Sequence, residues 1–92
     1  MIQILAVQVA APGSHENQIT AVRWYNPDDG QISIATTAVM VEFIAQKNGT
    51  AYAYNGRHRA DVIVAPGPSP YLTTQPGKFS IDNVSLLSLP RF

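Results

Sequence analysis

The chain has 92 residues, with six Lys and Arg against six Asp and Glu, 46% hydrophobic residues and no cysteine. A zero formal charge supplies no overall field to gather a polynucleotide or an anionic membrane surface, and the missing cysteines exclude disulfides, thiolate chemistry and cysteine-ligated zinc. A chain this short hides only about 60 to 65% of the surface its unfolded form exposes, so one domain over 1–92, stabilised by association into a homo-oligomer, is expected.

The opening MIQILAVQVAAPGS is apolar, yet it lacks the basic region of a signal peptide and is too short to span a bilayer, so a soluble intracellular protein is expected. IQILAVQVA, residues 2 to 10, is aliphatic and β-branched without helical spacing and reads as a mostly buried strand ended by APGS. QITAVRWY, residues 18 to 25, sets Ile19, Ala21, Arg23 and Tyr25 against Thr20, Val22 and Trp24. NPDDG then turns the chain into QISIAT, giving a hairpin from about 18 to 36. TTAVMVEFIAQKNG changes period: Thr36 or Thr37 can cap, Val39 with Phe43 and Met40 with Ile44 recur at four residues, and Asn48-Gly49 stops the run. A helix over 37–47 is predicted, held by packing because its valines lower intrinsic propensity.

AYAY and RHRADVIVA flank Asn55-Gly56, the dipeptide of a two-residue type I′ hairpin. That loop sets Tyr54 opposite Arg57, Tyr52 opposite Arg59 and Thr50 opposite Asp61 on one face, with Ala51, Ala53, His58, Ala60 and Val62 on the other. PGPSP at 66–70 excludes regular structure, and YLTT can form a short strand before QPG turns. In KFSIDNVSLLSLPRF, Asp82 or Asn83 can cap a short helical turn anchored by Leu86, Leu87 and Leu89 and ended by Pro90. The expected fold is α+β: an antiparallel sheet of five or six strands with the 37–47 helix on one face.

The run from Gly56 to Pro90, with VIVA, Tyr71-Leu72-Thr73-Thr74, Asp82-Asn83-Val84 and Leu86-Leu87-Ser88-Leu89-Pro90, resembles a domain-of-unknown-function family of short bacterial and phage proteins (DUF three-eight-nine-two). ITAVRWYNPDDGQIS is similar to that family's opening strand and hairpin. The chain departs from it at Val84, where the family favours leucine, and in a less acidic helix. The resemblance implies common ancestry and fold and carries no activity.

Ser14-His15-Glu16 are consecutive and diverge in space, which suits a polar loop and not a catalytic triad. His58 and Asp61 have opposite parity along a strand and so lie on opposite faces, and Asp28-Asp29-Gly30 lacks the later ligands of a calcium loop. No catalytic residue, metal or cofactor is expected. Tyr52, Tyr54, Arg57 and Arg59 are different. Guanidinium forks take phosphate while tyrosine faces stack on a ring, the combination a nucleotide-like ligand needs. Arg91 beside Phe92 repeats the pairing, and Asn83 can add a donor if a helical turn starts there. The expected function is non-enzymatic binding of a small phosphate-bearing ligand. One setting is a phage sponge in the host cytoplasm that sequesters a cyclic or ADP-ribose-type immune signalling nucleotide. The alternative is an interaction module whose Tyr/Arg face joins protomers.

Overall fold

In the computed structural model, which describes residues 1–76 and 84–92, six strands form one sheet in the order β3-β2-β1-β4-β5-β6. β1 is Ile2–Val9, β2 Ile19–Asn26, β3 Gln31–Thr36, β4 Ala51–Tyr54, β5 Arg59–Ala65 and β6 Tyr71–Pro76. The helix α1, Thr37–Ala45, follows β3 without a loop, and 3₁₀ turns occupy Glu16–Gln18 and Leu86–Ser88. The α+β architecture is the one read from the sequence, with one correction. The sheet is mixed, because β4 runs parallel to β1 with Ile2, Gln3 and Ile4 beside Ala51, Tyr52 and Ala53. Two antiparallel meanders are joined by α1, and a helical crossover is the connection that a parallel neighbour requires.

Thr36 caps the helix, its hydroxyl accepting from the Val39 N–H at 3.2 Å, while the Thr37 hydroxyl donates to the Ile19 carbonyl at 2.7 Å. Regular helix ends at Ala45, two residues earlier than the periodicity predicts. Asn48 then takes a left-handed φ of 55°, and the Gly49 N–H reaches back to the Phe43 carbonyl at 2.8 Å. Met40 is buried, and Phe43 and Ile44 pack partly against a core of Ile2, Ile4, Val7, Val22, Leu72, Val84, Leu86 and Leu89. Ala51, Ala53 and Ala60 lie fully inside the same core, as expected for the small-residue face of the 51–64 hairpin.

That hairpin forms, but its register differs from the expected one. Tyr54 pairs with Arg59, Ala53 with Ala60, Tyr52 with Asp61 and Ala51 with Val62. Gly56 has φ of 90° and Asn55 does not have positive φ, so the loop is not the expected type I′ turn, and the Asn55 N–H donates to the His58 carbonyl at 3.2 Å, which centres the loop on Gly56-Arg57. Asn55 is spared the left-handed conformation because its side-chain oxygen accepts from the backbone N–H of Arg57 at 2.9 Å and of His58 at 2.7 Å. The turn thus moves by one residue and the pairing by two. Parity survives, so Tyr52, Tyr54, Arg59 and Asp61 still share a face. Arg57 leaves the ladder for the exposed turn, and half-buried His58 lies just before β5 with the parity of Ala60 and Val62.

The second 3₁₀ turn is capped by Ser85, whose hydroxyl accepts from the Leu87 N–H at 3.2 Å. The expected caps, Asp82 and Asn83, lie outside the described residues. Beyond the stretch where β4 flanks β1, the C-terminal segment takes over that side: the Val7 N–H donates to the Pro90 carbonyl at 2.9 Å and the Phe92 N–H to the Val7 carbonyl at 3.2 Å. Among the described residues, no helix is long and apolar enough to cross a membrane.

Candidate functional site

Side chains directly opposite one another in a sheet point the same way, so the pairings define an outer face turned away from the core. One row crosses all six strands: Ile32, Tyr25, Gln3, Tyr52, Asp61 and Gln75. Arg23 and Ile34 continue the face on β2 and β3, and Tyr54 and Arg59 continue it on β4 and β5.

Two cations on this face are stacked on rings. The Arg59 guanidinium carbon lies 3.9 Å from the Tyr52 ring centroid, and one of its terminal nitrogens contacts the Met1 sulfur. The Tyr52 hydroxyl is 3.4 Å from the Gln3 side-chain oxygen, which orients the ring from the neighbouring parallel strand. Arg23 lies 5.0 Å from the Phe92 ring centroid. Each contact sets a guanidinium carbon over an aromatic face, an arrangement worth about 0.5 to 1 kcal/mol at an exposed site, and the Met1 sulfur takes one N–H of Arg59.

The residues singled out from the sequence meet different fates. Tyr52, Tyr54 and Arg59 are brought together on the outer face, as expected. Arg57 is at the tip of the hairpin, beside that face and not in its ladder. Arg91 does not pair with Phe92; its guanidinium donates to the carbonyls of Leu87 at 2.7 Å and Leu89 at 2.9 Å and so closes the second 3₁₀ turn. Asn83 lies outside the described residues. Arg23 and Gln3 were missed. The alternation of QITAVRWY already puts Arg23 and Tyr25 on one face, but their closeness to Tyr52 depends on β1 lying between β2 and β4, which local spacing does not encode.

The Ser14-His15-Glu16 stretch leads into the first 3₁₀ turn and has a structural task. The His15 ring nitrogen accepts from the Asn17 N–H at 3.1 Å, and its ring stands edge-on to Tyr71 with centroids 5.6 Å apart. The Glu16 carboxylate accepts from the Thr73 hydroxyl at 2.8 Å and from the Leu86 N–H at 3.3 Å, fastening β6 and the second 3₁₀ turn to the β1–β2 connection. Among the described residues, no three His, Asp or Glu side chains gather closely enough to hold a metal ion. No family model, curated protein or solved structure matches the chain.

Proposed function

We propose that the outer face is a non-enzymatic binding surface for a small phosphate-bearing ligand with a planar ring, as in a cyclic or ADP-ribose-type nucleotide. The observation that carries the reading is the Arg59–Tyr52 stack: an exposed guanidinium held 3.9 Å over a ring, with half-exposed Tyr54 directly across the strand pair from Arg59. Arg59 would take phosphate oxygens along its N–H edge, Tyr54 would stack on the base, and Arg57 at the hairpin tip would add a second cation. Asp61, two residues beyond Arg59 on the same face, favours a ligand with a hydroxyl or amine donor over bare phosphate. A sponge that sequesters such a signal is the setting of the proposal, and kinship with the family that Tyr71-Leu72-Thr73-Thr74 and Leu86–Pro90 resemble belongs to it.

Calorimetry with cyclic dinucleotides, cyclic trinucleotides and cyclic ADP-ribose isomers tests this. Wild-type protein is expected to bind a member of the panel, and Arg59→Ala to weaken that binding by about 1.5 to 3 kcal/mol, roughly tenfold to a hundredfold. Arg59→Lys should weaken it too, because a lysine cannot reproduce the planar fork. Absence of heat with every member would sink the ligand reading. A second reading, that the face joins protomers, has the 46% exposure of Tyr54 in its favour. It requires Arg59→Ala to lower the sedimenting mass.

A further inference from the structure

The two edges of the sheet are unlike each other. The outer edge of β6 is guarded: Pro66, Pro68 and Pro70 precede the strand, Pro76 ends it without an N–H, and Thr73 is tied to Glu16. β3 has none of these devices. Its sequence, Gln31-Ile32-Ser33-Ile34-Ala35-Thr36, contains no charge, proline or glycine, and it pairs with β2 without a bulge. Among the described residues, no strand pairs with its other side. Natural sheets normally protect such an edge, because a row of open N–H and C=O groups templates a further strand.

The exposed apolar surface gathers at the same edge. Of the five large hydrophobic side chains most exposed among the described residues, three lie within residues 32–39: Ile32 at 59%, Ile34 at 55% and Val39 at 56%. Ile32 and Ile34 point to the outer face. On the other face, Val39 and Ala35 border an apolar groove of about 230 Å³ floored by Trp24, Met40 and Phe43. Both faces of this flank are therefore apolar.

We propose that β3 is the contact through which two copies of this chain form a twofold dimer with a continuous twelve-stranded sheet. A second copy is the occupant because the edge is complementary to itself. A twofold axis normal to the sheet through Ser33 pairs antiparallel strands, sets Ile32 opposite the partner's Ile34 and Ile34 opposite the partner's Ile32, and brings no like charges together. It also stands both α1 helices on one side of the joined sheet, with each groove opening at the seam. A six-residue edge is about 20 Å long, and with the helix layer above it the flank offers roughly 400 Å² per chain, half of a standard interface. The dimer is accordingly weak and concentration-dependent. This inference goes beyond the ligand proposal and does not depend on it, since Tyr52 and Arg59 lie three and four strands away from the seam.

Sedimentation of the full chain from roughly 5 to 500 micromolar, the range in which a small interface associates, is expected to show a monomer–dimer equilibrium. The double variant Ile32→Lys/Ile34→Lys should raise the dissociation constant at least about tenfold, through like charges set opposite each other and lost apolar burial. Ile32→Glu/Ile34→Glu should do the same. Mixing the two variants should restore a heterodimer, and Ile32→Lys/Ile34→Glu alone should self-associate better than either like-charged double variant, because the Ser33 axis places opposite charges across the seam. Ile32 and Ile34 are each more than half exposed in the single chain, so folding checked by circular dichroism should be retained. A wild-type chain that stays monomeric throughout the range overturns the proposal. So does a dimer that persists unchanged in both like-charged variants, which would move the contact elsewhere, with Arg59→Ala then deciding for or against the Tyr/Arg face.

Discussion

Gly49 is needed for space. Its φ is ordinary, but a Cβ placed there would run into the Phe43 ring, which packs directly over the glycine as the chain leaves α1. Phe43 packs partly against the core, so moving its ring disturbs the contact of α1 with the sheet. Gly49→Ala is expected to destabilise the fold by about 1 to 3 kcal/mol, the usual cost of overpacking, as read from urea denaturation. Glu16 matters at the same scale for a different reason: one carboxylate accepts from both Thr73 and Leu86, two segments far apart in sequence. Glu16→Ala leaves both donors without that acceptor and should cost about 1 to 3 kcal/mol in the same measurement, with Glu16→Gln recovering part of it.

At the scale of the element, the 51–65 hairpin shows how a side chain selects a turn. Asn-Gly favours a type I′ loop because both residues tolerate positive φ, yet here Asn55 spends its side chain on the amides of Arg57 and His58, and Gly56 alone takes the left-handed conformation. If those two hydrogen bonds choose the turn, Asn55→Ala should lose about 1 kcal/mol or allow the turn to slip, whereas Asn55→Asp, which keeps the acceptor, should retain the Tyr54–Arg59 pairing. Cross-strand nuclear Overhauser contacts between Tyr54 and Arg59 report the outcome. Their replacement by Tyr54–Arg57 contacts in wild-type protein would contradict the register described here.

For the whole molecule, β1 is the axis. It is paired along its length with β2, and on its other side with β4 near one end and with the Pro90–Phe92 segment near the other. Opening β1 therefore requires breaking both meanders and the tail, while β3 can fray alone. Native-state hydrogen exchange should find the slowest amides in β1 and its neighbours and, in dilute solution, faster exchange in β3. Exchange in β3 that slows as protein concentration rises would agree with pairing through that edge.

Much of this arrangement is local and was therefore legible in the sequence. An aliphatic, β-branched run without helical spacing marked β1, period-two alternation marked β2, NPDDG marked the hairpin into β3, a threonine cap at 36 or 37 and four-residue spacing marked α1, and the alanines of 51–60 marked the buried face of the second hairpin. Those signals depend on residues within a few positions of one another, where sterics and capping act directly. The tertiary structure decided what depends on distant partners. It made the sheet mixed, since nothing in β4 itself says that β1 rather than β3 will be its neighbour. It took Arg57 out of the ladder, because the competition between two turns is settled by a couple of hydrogen bonds worth about 1 kcal/mol each. It also gave Phe92 to Arg23 instead of Arg91, because the C-terminal segment lies alongside β1 and its guanidinium finds the carbonyls of its own 3₁₀ turn first. Composition and periodicity fix which side of an element is apolar; only the packed chain determines which polar groups on the opposite side become neighbours.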